Sequence, residues 1–272
     1  MANAAHQYGL EAIVFQPLVA QNPYLRLLLR NMLASCTIKI LHMLILVRHG
    51  ESRLNESNRF TGWLDIPLNK KGFDEAHQVA DHCKQFDYDV AFTSHLERAH
   101  ATLLVILSHQ KKIGIFQHEA DSRYNQYSEA PADFIQETFP VFMSENLNER
   151  SYGNLQGMNK EIASTQLGAE KVFEWRRGFK SKPPGGESLE DVYNRVVPYF
   201  EEYIQPRIKR GEKVLIVAHG NTLRAMIKFL EHIDDEKIPF VDLPTGHPLV
   251  YSYIGDHFTR VEGEYGFNRP LR

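Results

Sequence analysis

Along the chain, short apolar runs alternate with segments in which apolar residues recur every three or four positions. Leu44 to Val47 is a run of aliphatic and β-branched side chains with the length of a buried strand. After a turn expected at Asn69 to Gly72, "LNKKGFDEAHQVADHCKQF" places Ala76, Val79, Ala80 and Cys83 along one helical stripe. "DVAFTS" reads as a second strand ending in Thr93 and Ser94, and "LERAHATLLVILSH" as a helix opening near that end. Beyond Pro183, Pro184, Gly185 and Gly186, Ser188 is suited to cap a helix through "LEDVYNRVVPYFEEYIQPRIKR", which Pro198 is expected to bend. "EKVLIVAHGNTLRAMIKFL" then repeats the order strand, His-Gly, helix. Strands alternating with helices predict an α/β fold: a three-layer sandwich whose largely parallel central sheet is flanked by helices. Residues 109–146 have little periodicity and read as an inserted, partly irregular loop region. Two readings stay open for it, a cover over a pocket or a surface insertion, which loop closure tolerates cheaply.

Composition narrows the class. A chain of 272 residues suits one large domain, or a domain with an appendage, and can bury a sizeable core. The net charge of -3 provides no global positive field for nucleic acid, so an anionic ligand must be met by a local cluster of cations. Cys36 and Cys83 have no metal-binding spacing and form no disulfide framework, which suits a reducing compartment. No apolar run reaches the 18 or so residues of a membrane span, so no membrane partner is expected. Residues 1–42 stand apart: Arg26, Arg30 and Lys39 face a single acid, Glu11. They read as an upstream start before Met43, as an amphipathic appendage, or as a basic targeting segment. The main domain is expected over 43–253. The stretch 254–272, with Gly263, Gly266 and Pro270, reads as a loosely held tail, and whether it covers a site stays open.

The strongest chemical feature is that two apolar strands each end in His-Gly, in "LVRHG" and "IVAHG". If those strands are neighbours, His49 and His219 meet at one rim of the sheet, where α/β proteins bind ligands. Gly50 and Gly220 would then let a ligand approach the backbone. A zinc site needs a third ligand, and His-Glu-x-x-His is absent, so a metal has little support. The alternative is a neutral imidazole attacking phosphorus, with cations to neutralise the phosphoryl oxygens. Arg48 adjoins His49, Arg98 lies one helical turn beyond the "TS" strand end, and Arg176 and Arg177 follow Trp175. Arginine's planar fork suits phosphate oxygens. No P-loop sequence is present.

The chain resembles the histidine phosphatase superfamily through "RHGES" and "AHG". More narrowly it is similar to the 2,3-bisphosphoglycerate-dependent phosphoglycerate mutases. That match rests on "RHGESRLNESNRFTGWLDIPLNKKG", "TSHLERA", "LNERSYGNLQGMNK", "WRRGF", "PPGGES", "AHGNTLRA" and "PTGHPLVY", in family order across residues 43–253. The resemblance implies the fold of those enzymes and a glycolytic and gluconeogenic isomerase of 3- and 2-phosphoglycerate. The reaction would run through phosphohistidine and a 2,3-bisphosphoglycerate intermediate, which also primes the enzyme. It implies His49 as the phosphoryl carrier, Glu149 as general acid and base, and His219, Arg48 and Arg98 as stabilisers of the transferring group. Asn55, Gly220 and Asn221 would donate hydrogen bonds around the phosphate, and Thr61 and Gly62 would contact substrate. Arg150, Tyr152, Lys160, Arg176 and Arg177 would hold the distal phosphate and carboxylate. It further implies no metal, a cytoplasmic setting and a homodimer or homotetramer. The sequence departs from the family pattern at Leu54, Ser151 and His247, none of which removes a catalytic group. The alternative functions are a histidine phosphatase hydrolysing a small phosphomonoester and a non-catalytic phosphate-binding protein. The latter has no use for His49 and Glu149.

Overall fold

The computed structural model describes residues 42–118, 122–127, 131–263 and 266–267, so the readings made for residues 1–41 and 268–272 lie outside the described residues. Strand β1 (Met43–Arg48) is the apolar run that opens the domain, and all but Arg48 of its residues are buried. A short helix α1 (Arg53–Glu56) follows, and then α2 (Lys70–Cys83), β2 (Val90–Thr93) and α3 (Glu97–Ser108). Next come β3 (Ile113–Phe116), β4 (Thr138–Met143), α4 (Lys160–Leu167), α5 (Ala169–Arg177) and α6 (Leu189–Tyr199). The chain continues through α7 (Gln205–Lys209), β5 (Lys213–Ala218), α8 (Gly220–Leu230), β6 (Val241–Asp242), β7 (Leu249–Ile254), β8 (His257–Glu262) and β9 (Gly266–Phe267).

The main sheet has seven strands in the order β3-β4-β2-β5-β1-β7-β8. The first five pair in parallel, whereas β7 and β8 are antiparallel to their neighbours. The two His-Gly strands, β1 and β5, are adjacent at the centre, with Arg48 opposite Ala218. Strand periodicity divides their side chains between two faces. Leu44, Leu46, Val214 and Ile216 join one core with Val192, Val196, Leu223 and Ile227 of α6 and α8. Ile45, Val47, Leu215 and Val217, buried on the opposite face, lie on the side where α3 packs on β2 and β5 and α2 packs on α3. This is the expected sandwich. A smaller cluster of Phe60, Leu155, Ala163, Val172 and Trp175, with Tyr152 and Met158 against it, ties α4 and α5 to the loop after α1.

Three local expectations change, at 69–72, at 109–146 and beyond 254. Asn69 to Gly72 is not a free turn: Asn69 is the N-cap of α2 and accepts a hydrogen bond from the Gly72 amide at 2.8 Å. Pro198, which has no amide hydrogen to give, lies inside α6, and the helix continues into a π turn over Phe200–Ile204. Residues 109–146 are not only loop, because they supply β3 and β4. Phe139 and Val141 are buried on alternate positions, a strand period that Pro140 masks in the sequence. The stretch from 254 is not all tail either: β8 completes the sheet to Glu262, and β9 pairs with β6. Ser188 caps α6 as expected, and Asp191 completes a capping box.

Candidate active site

The site lies where β1, β5 and β2 end. The His49 amide donates to the Ala218 carbonyl at 3.0 Å, which carries the β1–β5 ladder one residue further and sets His49 beside His219. The two imidazole centroids are 4.9 Å apart. His49 Nδ1 lies 2.7 Å from the Gly50 carbonyl. A carbonyl only accepts, so the ring proton is on Nδ1 and Nε2 keeps its lone pair. Burial, and then the charges of Arg98 and Arg48, hold the His49 pKa well below the usual value, so the ring is neutral. His219 is lowered for the same reasons, with His49 itself contributing.

Helix α3 begins just beyond β2 and carries Arg98 into the interior, where it is fully buried. Its guanidinium donates to the Leu64 carbonyl at 2.9 Å, to the Gly62 carbonyl at 2.8 Å and to His49 Nε2 at 3.3 Å. Burial pulls its pKa down to about 10, which still leaves it charged at neutral pH. Arg48 donates to the Leu243 carbonyl at 2.5 Å, while its Nε is buried without a partner among the described residues. His219 Nδ1 and Thr61 Oγ1 are likewise buried and unpartnered. Each such group costs about 1–3 kcal/mol unless a ligand or water satisfies it.

Glu149 is held by one oxygen. Oε1 accepts from the Arg150 amide at 2.8 Å, the Asn221 amide at 3.1 Å and Asn221 Nδ2 at 3.0 Å. Its other oxygen, Oε2, is left to face the cleft beside Gly220. The Glu149 carbonyl is gripped from behind by Trp63 Nε1 at 2.5 Å and by Arg195 at 3.1 Å. Arg195 also donates to the carbonyls of Asn146 and Asn148 and pairs with Glu187 through both carboxylate oxygens.

The cleft is also lined by Lys160, at the start of α4, and by Arg176 and Arg177, in the last turn of α5. Burial, together with Arg176, lowers the Lys160 pKa, and burial lowers that of Arg176. Burial pushes the Tyr152 hydroxyl up, but Arg150 beside it and hydrogen bonds from Arg150 and Asn221 bring it net below the usual phenol value. The cleft has a cavity volume of about 150 Å³ and is lined by seven basic side chains against two carboxylates, Glu149 and Asp242.

Arg48, His49, Asn55, Thr61, Gly62, Arg98 and Glu149 line this one cleft, as do Tyr152, Lys160, Arg176, Arg177, Gly220 and Asn221. Arg150 does not. It is buried behind the wall, where it donates to the Tyr152 hydroxyl at 3.1 Å and to the Arg176 carbonyl. His219 is fully buried beside His49. Gly50 serves a different purpose from the one expected: a Cβ there would meet the Gly72 carbonyl oxygen at 2.2 Å, so the close approach is to α2 and not to a ligand. The sequence reading missed Arg59, Arg224 and Asp242, all of which line the cleft. Arg224 lay in view within "HGNTLRA", four residues beyond Gly220. Burial lowers its pKa to about 9, and it donates to Asn221 Oδ1 at 3.0 Å and to the Arg177 carbonyl at 3.0 Å. Among the described residues, no group of three or more His, Cys, Asp or Glu is arranged to hold a metal ion. No helix among them is long and apolar enough to cross a membrane.

Comparison with known proteins gives the family and the fold. The sequence profile of the histidine phosphatase superfamily (branch 1) matches residues 44–123 and 122–262. A 2,3-bisphosphoglycerate-dependent phosphoglycerate mutase of Chlamydia abortus is 43% identical over 219 residues, covering 80% of this chain and 96% of its own. The protein of that name from Gloeothece citriformis is 45% identical, covering 76% and 92%. That from Methanosarcina acetivorans is 42% identical, covering 81% and 95%. Among solved structures, a mycobacterial hydrolase superposes with a TM-score of 0.65 at 19% identity, covering 81% of this chain and 97% of its own. A mycobacterial glucosyl-3-phosphoglycerate phosphatase in complex with VO3 superposes at 0.61 and 22% identity, covering 81% and 97%. These two likenesses establish the fold.

Proposed function

This chain belongs to the histidine phosphatase superfamily and, within it, to the 2,3-bisphosphoglycerate-dependent phosphoglycerate mutases, and we propose that the cleft at the ends of β1 and β5 is where it works. It is an isomerase that interconverts 3-phosphoglycerate and 2-phosphoglycerate. The observation that carries the site assignment is a neutral His49, its proton fixed on Nδ1, at one end of a cleft with seven basic side chains. A bisphosphoglycerate has two phosphates and a carboxylate and carries roughly four to five negative charges at neutral pH. The basic lining and the unpartnered donors of Arg48 and Thr61 suit such an anion. Lys160, Arg176 and Arg177 would hold the phosphate and carboxylate remote from His49. When bound, 2,3-bisphosphoglycerate supplies the phosphoryl group that His49 carries.

The chain's own residues then divide the work. His49 Nε2 forms a bond to phosphorus as the bond from phosphorus to the departing oxygen breaks. Arg98, already 3.3 Å from Nε2, neutralises charge on the moving oxygens together with Arg48 and His219. Glu149 Oε2 gives a proton to the departing oxygen, or takes one from the attacking hydroxyl in the opposite direction. Oε1, holding three N–H donors, keeps the carboxylate aimed. Arg150 acts through Tyr152 and Arg176. Hydrolysis would use the His49 end alone and leave the Lys160–Arg176 end without a task. A cytoplasmic setting suits a glycolytic step.

The test is phosphoenzyme formation with labelled 2,3-bisphosphoglycerate. His49→Ala is expected to carry no acid-labile label and to lose turnover. Glu149→Gln, close in size, is expected to lower kcat by about 10²–10⁴ while substrate affinity changes little. Label and turnover retained in His49→Ala, or a loss of affinity alone in Glu149→Gln, would refute the assignments.

A further inference from the structure

Ser94 directly follows β2 and lies fully buried between His219 and the start of α3. Its hydroxyl oxygen is 2.7 Å from His219 Nε2 and accepts from the Leu96 amide at 3.1 Å. Its carbonyl lies 2.5 Å from His100 Nε2, which donates to it. Among the described residues the serine proton has a single acceptor within reach, His219 Nε2. Were Nε2 instead protonated, two N–H groups would point at the serine oxygen and its own proton would be buried without an acceptor. With Ser94 donating to Nε2, the serine proton is satisfied and only the imidazole N–H is left for a ligand, whereas the opposite arrangement leaves both the serine proton and the Nδ1 lone pair without partners. Donation from Ser94 puts the imidazole proton on Nδ1, the ring atom that is buried and has no partner among the described residues.

We propose that Ser94 is a positioning residue that fixes the tautomer of His219, so that a neutral imidazole presents an N–H, and not a lone pair, to the transferring phosphoryl group. The proposal rests on the reading of His219 as a phosphoryl contact. Its chemical content is that His219 need not be charged to stabilise the oxygens. A neutral N–H suffices, provided that the other nitrogen is occupied by a donor. With the serine hydroxyl gone, the ring is free to move its proton to Nε2, and Nδ1 would then repel a phosphoryl oxygen.

The experiment uses full-length protein labelled with ¹⁵N in its histidine rings. In the wild type, the His219 signals are expected to show a protonated Nδ1 and an unprotonated Nε2. Ser94→Ala is expected to lose that pattern and to form phosphoenzyme about 10–100-fold more slowly, with kcat falling and KM little changed. Ser94→Thr, which keeps the hydroxyl, is expected to restore both. A wild-type ring protonated on Nε2 overturns the proposal, as does Ser94→Ala with an unchanged tautomer or an unchanged rate. If the wild type shows the expected tautomer yet forms no phosphoenzyme, it is the His219 role underneath that fails.

Discussion

A histidine attacks phosphorus only while a ring nitrogen keeps its lone pair, and at position 49 burial and two neighbouring arginines ensure that it does. That protection has a cost in stability. Unfolded, the ring takes up a proton as pH drops through about 6.5, whereas the folded ring does not until lower pH. The contribution of His49 to stability is therefore lost as pH falls below about 6.5, with a limiting slope of about 1.4 kcal/mol per pH unit. Urea unfolding at pH 7.0 and 5.5 should show a loss of stability that is smaller in His49→Ala, by about 1 kcal/mol. Equal losses would mean that the folded ring titrates normally. At this scale the sequence made the two histidines legible, because each follows an apolar run directly. Ser94 and Asp242 were not legible as site residues, and Arg224, though it stands in a quoted motif, was passed over. Their part depends on partners from other elements: His219 for Ser94, Arg177 for Arg224 and Asp242.

Among the elements, α6 does more for the site than its distance in sequence suggests. Its capping box at Ser188 starts the helix, and its Arg195 uses all five N–H donors on Glu187 and on the carbonyls of Asn146, Asn148 and Glu149. Arg195→Met would leave those carbonyls and the Glu187 carboxylate short of donors. The expected result is about 2–4 kcal/mol of lost stability. A fall in kcat of about tenfold or more should accompany it, because a small misplacement of a proton-transfer group is costly. Denaturation and steady-state kinetics on the same preparation check both, and an unchanged kcat would separate Arg195 from the placement of Glu149. Strands and helices with clean periodicity, such as β1, β5 and α2, could be read directly. Strands β3 and β4 could not: Gly114 interrupts the first and Pro140 the second, and both residues argue locally against a strand.

For the whole molecule, the parallel order of the sheet follows from strand-helix alternation, whereas the antiparallel β7–β8 hairpin that closes one edge does not. The family profile begins at residue 44, one residue after β1 starts. A chain beginning at Met43 is accordingly expected to fold and to keep full kcat, and a loss of soluble, active protein would make residues 1–42 part of the catalytic unit. The charge pattern argues at the same scale. The net charge is negative, yet the cleft concentrates cations around one anion-sized space. The most direct test of that reading is conversion of 3-phosphoglycerate by purified protein in the presence of a metal chelator, with and without 2,3-bisphosphoglycerate. Chelator-resistant formation of 2-phosphoglycerate, stimulated by the bisphosphate, is the predicted result. Release of inorganic phosphate without isomerisation would contradict it and would mean that Lys160, Arg176 and Arg177 serve some other ligand.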